Sequence, residues 1–311
     1  MNRVFFLCGI PGSGKSTWAE ANKEKFDFNI HSSDNIRAEL GNVNDQSQNE
    51  LVFTTLHKRI KDDLLAGKNV CYDATGLKRK NRMHFLQYIK DIPCEKVCVL
   101  FATPVDICKQ NNTNRERKVP ERVIDRMLMS FECPCKQEGF DEIQIVWWDV
   151  EKDGIIFDLN KDMEKWCEIS HNNPHHSLSV GNHMIKAWQY ACDMTNDFLL
   201  QTAAYIHDCG KPMTKKFIDS KGNPCEIAHF YNHNNCGAYN SLFYLKDMFK
   251  DDYMQFTDNE ILFISLLTEL HMYPFLRWNK SEKTKEKDLK LFGEGIVNCV
   301  LRIHEADLAA H

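Results

Sequence analysis

The chain has 311 residues, 43% of them hydrophobic and 27% charged, with a formal net charge of −5. That length sets two domains as the expectation, and the balance excludes a disordered, collagen-like or membrane-bundle chain. Mild acidity excludes an overall basic field, so a nucleic-acid partner needs a local basic groove.

In chain order, residues 4–8, 28–31, 70–72, 97–101 and 143–147 are apolar runs that predict short buried strands. Amphipathic stretches such as residues 51–65 lie between them. Alternating β and α with continuous apolar strands predicts a parallel sheet covered on both faces. Residues 151–154 form a turn-like cluster, after which the pattern changes. Beyond residue 170 it predicts helices and almost no strands. Ile261, Ile264, Ser265 and Thr268 recur at helical spacing, as do Val297, Val300, Leu301, His304 and Leu308. The charge-rich residues 279–290 are expected to be an exposed loop. The expected fold class is therefore α/β plus all-α, with a sheet domain over 1–158 and a helical domain over 163–311. No apolar run is long enough for a bilayer, and residues 1–8 pass straight into a glycine-rich turn without the apolar segment of a leader. The 13 cysteines are then expected as free thiols in a reducing cytoplasm. Cys133-Pro134-Cys135 lacks a second pair at ligand spacing and is expected to be structural.

Gly9-Ile10-Pro11-Gly12-Ser13-Gly14-Lys15-Ser16 matches G-x-x-x-x-G-K-[ST] between a predicted strand and a helical pattern starting at Thr17. Its glycines let backbone N–H groups curl around a phosphate, with the helix N-terminus adding partial positive charge. Gly9, Gly12, Ser13, Gly14, Lys15, Ser16 and Thr17 are the expected nucleotide site, Lys15 reaching the β/γ-phosphates and Ser16 holding Mg²⁺. Three features point from a generic ATP site to a kinase. Asp34 follows the second strand, where a carboxylate can accept the proton of an attacking hydroxyl; capping of the next helix is the alternative. Asp73 ends another strand, placed to hold Mg²⁺ through water, to steady the acceptor, or to be a plain turn residue. Arg115 and Arg117 lie on a basic loop before an amphipathic helix that starts at Pro120, which suits a lid over ATP.

Taken in order, GIPGSGKSTW, SSDNIR, YDATG and the NxxR…VP segment resemble the kinase domain of bacteriophage polynucleotide 5′-kinase over about residues 2–147. The resemblance implies that Lys15 and Ser16 bind ATP and metal, and that Asp34 is the general base on a 5′-hydroxyl. It further implies that Arg37 grips the acceptor phosphate, Asp73 orients the acceptor and Arg115 contacts ATP. Ser33 departs from the family's basic residue at that place.

The C-terminal half is rich in histidine. His207-Asp208-Cys209-Gly210-Lys211 follows an apolar run, with His183 upstream and Ala306-Asp307 in a late helical stretch. Adjacent imidazole and carboxylate groups suit one cation. This H…HD…D order is similar to the HD phosphohydrolase superfamily. The resemblance implies one ion on His183, His207, Asp208 and Asp307, and a second on His233 and His271 bridged by Asp208. Lys211 would neutralise a phosphate oxygen. His175, His176, His229 and His304 are weaker candidates. Mn²⁺, Ni²⁺, Co²⁺, Fe or Zn²⁺ all suit such donors.

A 5′-kinase joined to a metallo-phosphoesterase resembles bacterial HD–polynucleotide kinase end-healing enzymes, with the domain order reversed. The resemblance implies RNA or DNA ends as substrates and a ligase as the downstream partner. Two other readings stay open: a nucleoside or metabolite kinase fused to a nucleotide phosphohydrolase, and an ATP-binding switch whose second half binds a ligand.

Overall fold

The computed structural model describes residues 1–41, 47–115, 117–174, 176–249 and 255–311, so Glu116 and His175 lie outside the described residues. The chain divides into two compact units, residues 1–127 with 134–148, and residues 128–133 with 149–311.

In the first unit the chain runs β1 (Asn2–Cys8), α1 (Lys15–Phe26), β2 (Phe28–Ser32), α2 (Ser33–Glu39), α3 (Asn49–Leu65), β3 (Asn69–Asp73), α4 (Arg79–Tyr88), β4 (Cys94–Ala102), α5 (Val105–Thr113), α6 (Glu121–Leu128) and β5 (Glu142–Trp147). The strands form one parallel sheet in the order β2-β3-β1-β4-β5. β1 is central and buried from Val4 to Cys8, which is why it reads as an unbroken apolar run. On one face Phe5, Leu7, Val97, Val99 and Phe101 pack with Trp18 and Phe26 of α1. On the other, Phe6 stacks on Tyr72 at 4.4 Å between ring centres, with Phe85 of α4 against both. This topology brings the loop after β1, the start of α2 and the end of β3 to the carboxyl edge of the sheet, where ligands bind in such folds.

His57 of α3 is buried among Tyr72, Phe85 and Tyr88. Burial, aided by the charge of His84, pushes its pKa down to about 4. The fold thus holds it neutral while the unfolded chain takes up a proton near the ordinary value of ~6.5. Stability should therefore fall as pH drops from about 6.5 toward 4. His57→Leu should shrink the loss of unfolding free energy between pH 7 and pH 5, read from urea titrations, by about 1 kcal/mol after allowing for partial solvent access. An equal loss in variant and wild type would show that another group sets the slope.

The second unit holds α7 (Leu159–Trp166), α8 (Val180–Met194), α9 (Phe198–Ile206), α10 (Lys211–Thr214), β6 (Lys215–Ile218), β7 (Pro224–Phe230), α11 (His233–Asp247), α12 (Asp258–Leu270) and α13 (Glu282–Ala309). Ala191, Ala204 and Ala306 meet where α8, α9 and α13 pack, small side chains allowing close approach. Two expectations are corrected. The β6–β7 hairpin is an antiparallel pair with a register shift between Lys216 and Ile218, an irregularity that hides it from a period-2 search. Residues 279–290 are mostly helical rather than a loop. Ser281 caps α13 by accepting from the N–H of Thr284, and the buried Asp288 accepts from Trp278 Nε1 at 3.0 Å. Lys and Glu are good helix formers, so the charge run is one solvated helix face. No helix among the described residues is long and apolar enough to cross a membrane.

Candidate active sites

The phosphate loop is shaped by close packing. Gly12 has φ +84°, and a Cβ there would lie 2.1 Å from the carbonyl oxygen of Cys108, so only glycine fits. The loop's grip is reinforced by Thr103 and Asn111, whose side chains donate to the carbonyls of Ser13 and Gly12. α1 begins at Lys15, two residues earlier than the sequence pattern suggests. Lys15 is buried and donates to the carbonyls of Gly9 and Ile10, each at 2.9 Å. Burial lowers its pKa while the Asp73 carboxylate works the other way. Ser16 Oγ donates to Asp73 Oδ2 at 2.8 Å. A hydroxyl and a carboxylate so paired, below a phosphate-binding loop, are the donors that suit Mg²⁺ on ATP. Burial raises the pKa of Asp73 against the pull of Lys15.

β2 and β3 pair Ser32 with Asp73, which puts the start of α2 level with the loop. Ser32 is the N-cap of α2 and accepts from the N–H of Asp34 at 3.2 Å. Asp34 is therefore not the cap, and the capping alternative for it falls. Its Oδ1 instead lies 2.6 Å from Arg117 and 3.1 Å from Arg37. Arg37 is buried, donates to Asn49 at 2.7 Å and lies over the Phe53 ring at 5.8 Å. Arg115 precedes α6, and its charge lowers the pKa of both Lys15 and Asp73, a small effect beside that of burial. Below this edge Arg82 is fully buried. It makes two 2.6 Å bonds to Glu138 and donates to the carbonyls of Gly76 and Leu77 at 2.9 Å, pinning the turn after Asp73.

The second unit gathers every expected ligand. His183 comes from α8, His207 from the end of α9, His233 from the start of α11, His271 from the end of α12 and Asp307 from α13. Around Asp208 Oδ2 stand His207 Nε2 at 3.3 Å, His183 Nε2 at 3.5 Å and Lys211 Nζ at 2.6 Å. Around Oδ1 stand His233 Nε2 at 3.2 Å and His271 Nε2 at 3.6 Å. Asp307 Oδ1 lies 2.9 Å from His183 Nε2 and 3.6 Å from His207 Nε2.

The backbone fixes the tautomers. Nδ1 of His207, His233 and His271 faces the carbonyls of Ala204, Phe230 and Thr268 at 2.7, 2.8 and 2.7 Å. A carbonyl only accepts, so each Nδ1 donates a proton there, and each Nε2 is the ring atom left to face Asp208 and, when deprotonated, to ligate a cation. Gly210 makes room for this arrangement: a Cβ there would meet the carbonyl oxygen of His233 at 2.0 Å. Both carboxylate oxygens of Asp208 and Nε2 of His207 are buried without a hydrogen bond. Buried polar atoms left without a hydrogen bond cost ~1–3 kcal/mol per group, and beside them, among the described residues, only Lys211 brings a fixed positive charge, 2.6 Å from Oδ2. Divalent cations satisfy them, so the residues fit metal. Two groups of ligand atoms, His183 with His207 and Asp208, and Asp208 with His233 and His271, lie within 4.8 Å of one another. Burial opposes charge on His207, yet the neighbouring Asp208 carboxylate outweighs it and raises its pKa to about 10. Burial also opposes charge on Asp208, but Lys211 and His207 hold its carboxyl well below the usual range.

Residues 4–134 match the family described as AAA domain. The chain is 26% identical to L-seryl-tRNA(Sec) kinase of Methanococcus maripaludis over 174 residues, covering 54% of this chain and 66% of that protein. It is 28% identical over 167 residues to transcription factor bHLH140 of Arabidopsis thaliana, covering 51% of this chain and 17% of that one. A chain of the Pnkp1/Rnl/Hen1 RNA repair complex aligns with a TM-score of 0.38 and 19% identity, over 42% of this chain and 43% of that one. The N-terminal unit is a parallel-sheet α/β fold with a P-loop after its central strand.

The sheet brings Lys15, Ser16, Asp34, Arg37 and Asp73 to one edge. Sequence reasoning missed Arg82 and Glu138, which act from 56 residues apart and carry no motif. In the second unit it missed His171, whose Nε2 accepts from Lys211 at 3.1 Å and whose ring stacks on His176 at 4.0 Å. It also missed His311, 3.5 Å from Asp307 and four residues along the chain. That i,i+4 spacing from Asp307 is the one signal that could have found it. His229 lies apart from the ligand groups, stacked on Tyr231 of the hairpin end.

Proposed function

We propose that the chain is a nucleic-acid end-healing enzyme, in which a domain over 1–158 phosphorylates 5′-hydroxyl ends from ATP. A domain over 163–311 would remove 2′,3′-cyclic phosphate or 3′-phosphate. The observation that carries the kinase half is the Asp34 carboxylate at the sheet edge, flanked by Arg37 and Arg117. Asp34 would take the proton from the attacking hydroxyl. Arg37, anchored by Asn49, would hold the phosphate next to that hydroxyl, and Lys15 and Arg115 would stabilise charge on the transferred group. The seryl-tRNA kinase relative supports an acceptor carried on RNA. In the other domain, a cation pair held by His183, His207, Asp208, Asp307, His233 and His271 would activate water and clamp phosphate oxygens when bound. Lys211 would offer its ammonium to a phosphate oxygen, and the buried imidazoles would exclude bulk water.

The test is end-labelling from γ-labelled ATP of 5′-hydroxyl RNA and DNA oligonucleotides beside nucleosides and small hydroxylated metabolites. Oligonucleotide-dependent labelling is expected. Labelling of small molecules alone, or none with any acceptor, overturns the reading. Asp34→Asn should lower turnover on the oligonucleotide by ~10²–10⁴ while ATP affinity is kept, because the amide cannot accept the proton. Loss of ATP affinity with turnover unchanged would instead mean that Asp34 serves only to tether Arg37 and Arg117.

A further inference from the structure

Beside the two ligand groups already described lies a third, which shares only His183 with the proposed two-ion centre. One nitrogen each of His176, His183 and His311 lies within 4.8 Å of the others. Four-coordinate ions with bonds of ~2.1 Å hold their ligand atoms about 3–4 Å apart, so small side-chain movements close the set. The His176 ring is fixed in place. It stacks on His171 at 4.0 Å and 10°, and His171 is itself tied to the carbonyl of Leu178 at 2.7 Å and to Lys211. His311 packs on His176 at 4.3 Å between ring centres, with Nε2 3.5 Å from Asp307 Oδ1. Nδ1 of His176 is buried and makes no hydrogen bond. A core histidine ordinarily finds a partner for such a nitrogen.

We propose that His176 and His311, with Asp307 as the shared carboxylate and His183 at the border, hold a third divalent cation next to the proposed pair. The inference rests on the metal-binding reading of the cluster and extends it. Charge decides when the third ion is held. Among the described residues, Asp208 and Asp307 are the carboxylates in the ligand contacts, and Lys211 offsets part of their charge. Three dications there require further anionic oxygen, which a phosphate supplies. The third site is therefore completed by the phosphoryl oxygens of a substrate or product, and it would fix a terminal phosphate against the other two ions. That preference suits a phosphomonoester end, with three non-bridging oxygens and up to two charges, over a diester, cyclic or internal, with two oxygens and one charge.

The experiment is equilibrium dialysis of the full chain against Mn²⁺ in the presence of inorganic phosphate, with metal content read by mass spectrometry. Wild type should bind three ions per chain, matching the three ligand groups. His311→Ala, at a side chain one-third exposed and so little needed for folding, should bind one fewer, as should His176→Gln. Omitting phosphate should remove the same ion first. Two ions in wild type, unchanged in His311→Ala, would overturn the third site and leave the pair intact. Three ions retained in both variants would overturn the assignment to His176 and His311. One ion or none in wild type would overturn the two-ion reading itself and the third site with it.

Discussion

Lys15→Ala should bring phosphoryl transfer to 5′-hydroxyl ends down to background, a loss of roughly 10³-fold or more. Removing a single donor to developing charge in a water-poor site typically costs ~10²–10³, and a full positive charge is worth more than a neutral donor. Lys15 is buried at the mouth of the loop, its ammonium held by the carbonyls of Gly9 and Ile10. ATP phosphates would draw it off those carbonyls by a short swing of one flexible side chain. Arg115 and Arg117 sit on the loop before α6 and cannot take its place from within the β1–α1 turn. Lys15→Arg should fail nearly as badly, because the planar guanidinium does not fit a cradle sized for a compact ammonium. Thermal unfolding of both variants separates loss of chemistry from loss of fold. Steady-state labelling within about twofold of wild type in Lys15→Ala would end the P-loop kinase assignment of this site.

The legible parts of this protein are those in which chemistry and chain order coincide. The parallel sheet shows in the sequence because strands such as β1 and β4 are buried on both faces and read as apolar runs. The phosphate loop and the His207-Asp208 pair show because contiguous residues do the binding. The hairpin does not, because its strands are short, mostly exposed and out of step at Lys216. α13 misleads because its first turns carry charge, while their anchoring groups, Asp288 and Trp278, lie ten residues apart. The packing of His171, His176 and His311 also has no linear trace. His171 and His176 lie on the approach to α8, His311 follows α13, and only the tertiary fold stacks them. Arg117 belongs to the same class: a basic loop residue in sequence, it reaches Asp34 across the sheet edge.

Asp208 is the group whose loss should do most in the second unit. Its two oxygens face four imidazoles and Lys211, all within 3.6 Å. It alone belongs to both ligand groups of the proposed pair. Asp208→Ala should therefore release more metal than any single histidine change and abolish removal of 2′,3′-cyclic or 3′-phosphate. It also leaves the buried Lys211 ammonium without its 2.6 Å partner, which can cost ~3–5 kcal/mol of stability. Asp208→Asn is the needed companion, since it keeps the shape and an accepting oxygen while removing the charge. If the role is metal binding, Asn should lose metal and phosphoesterase activity with the fold retained. Labelling of 5′-hydroxyl ends should persist in both variants, because Lys15, Ser16 and Asp73 draw on a separate core. The reverse holds for Lys15→Ala, which should keep its metal and its 3′-end chemistry. Metal content and both activities, measured on one preparation of each variant, decide the matter. Full metal in Asp208→Asn would remove Asp208 as the bridging ligand. Loss of 5′-end labelling in a folded, metal-free Asp208→Asn would instead show that the two chemistries are not independent.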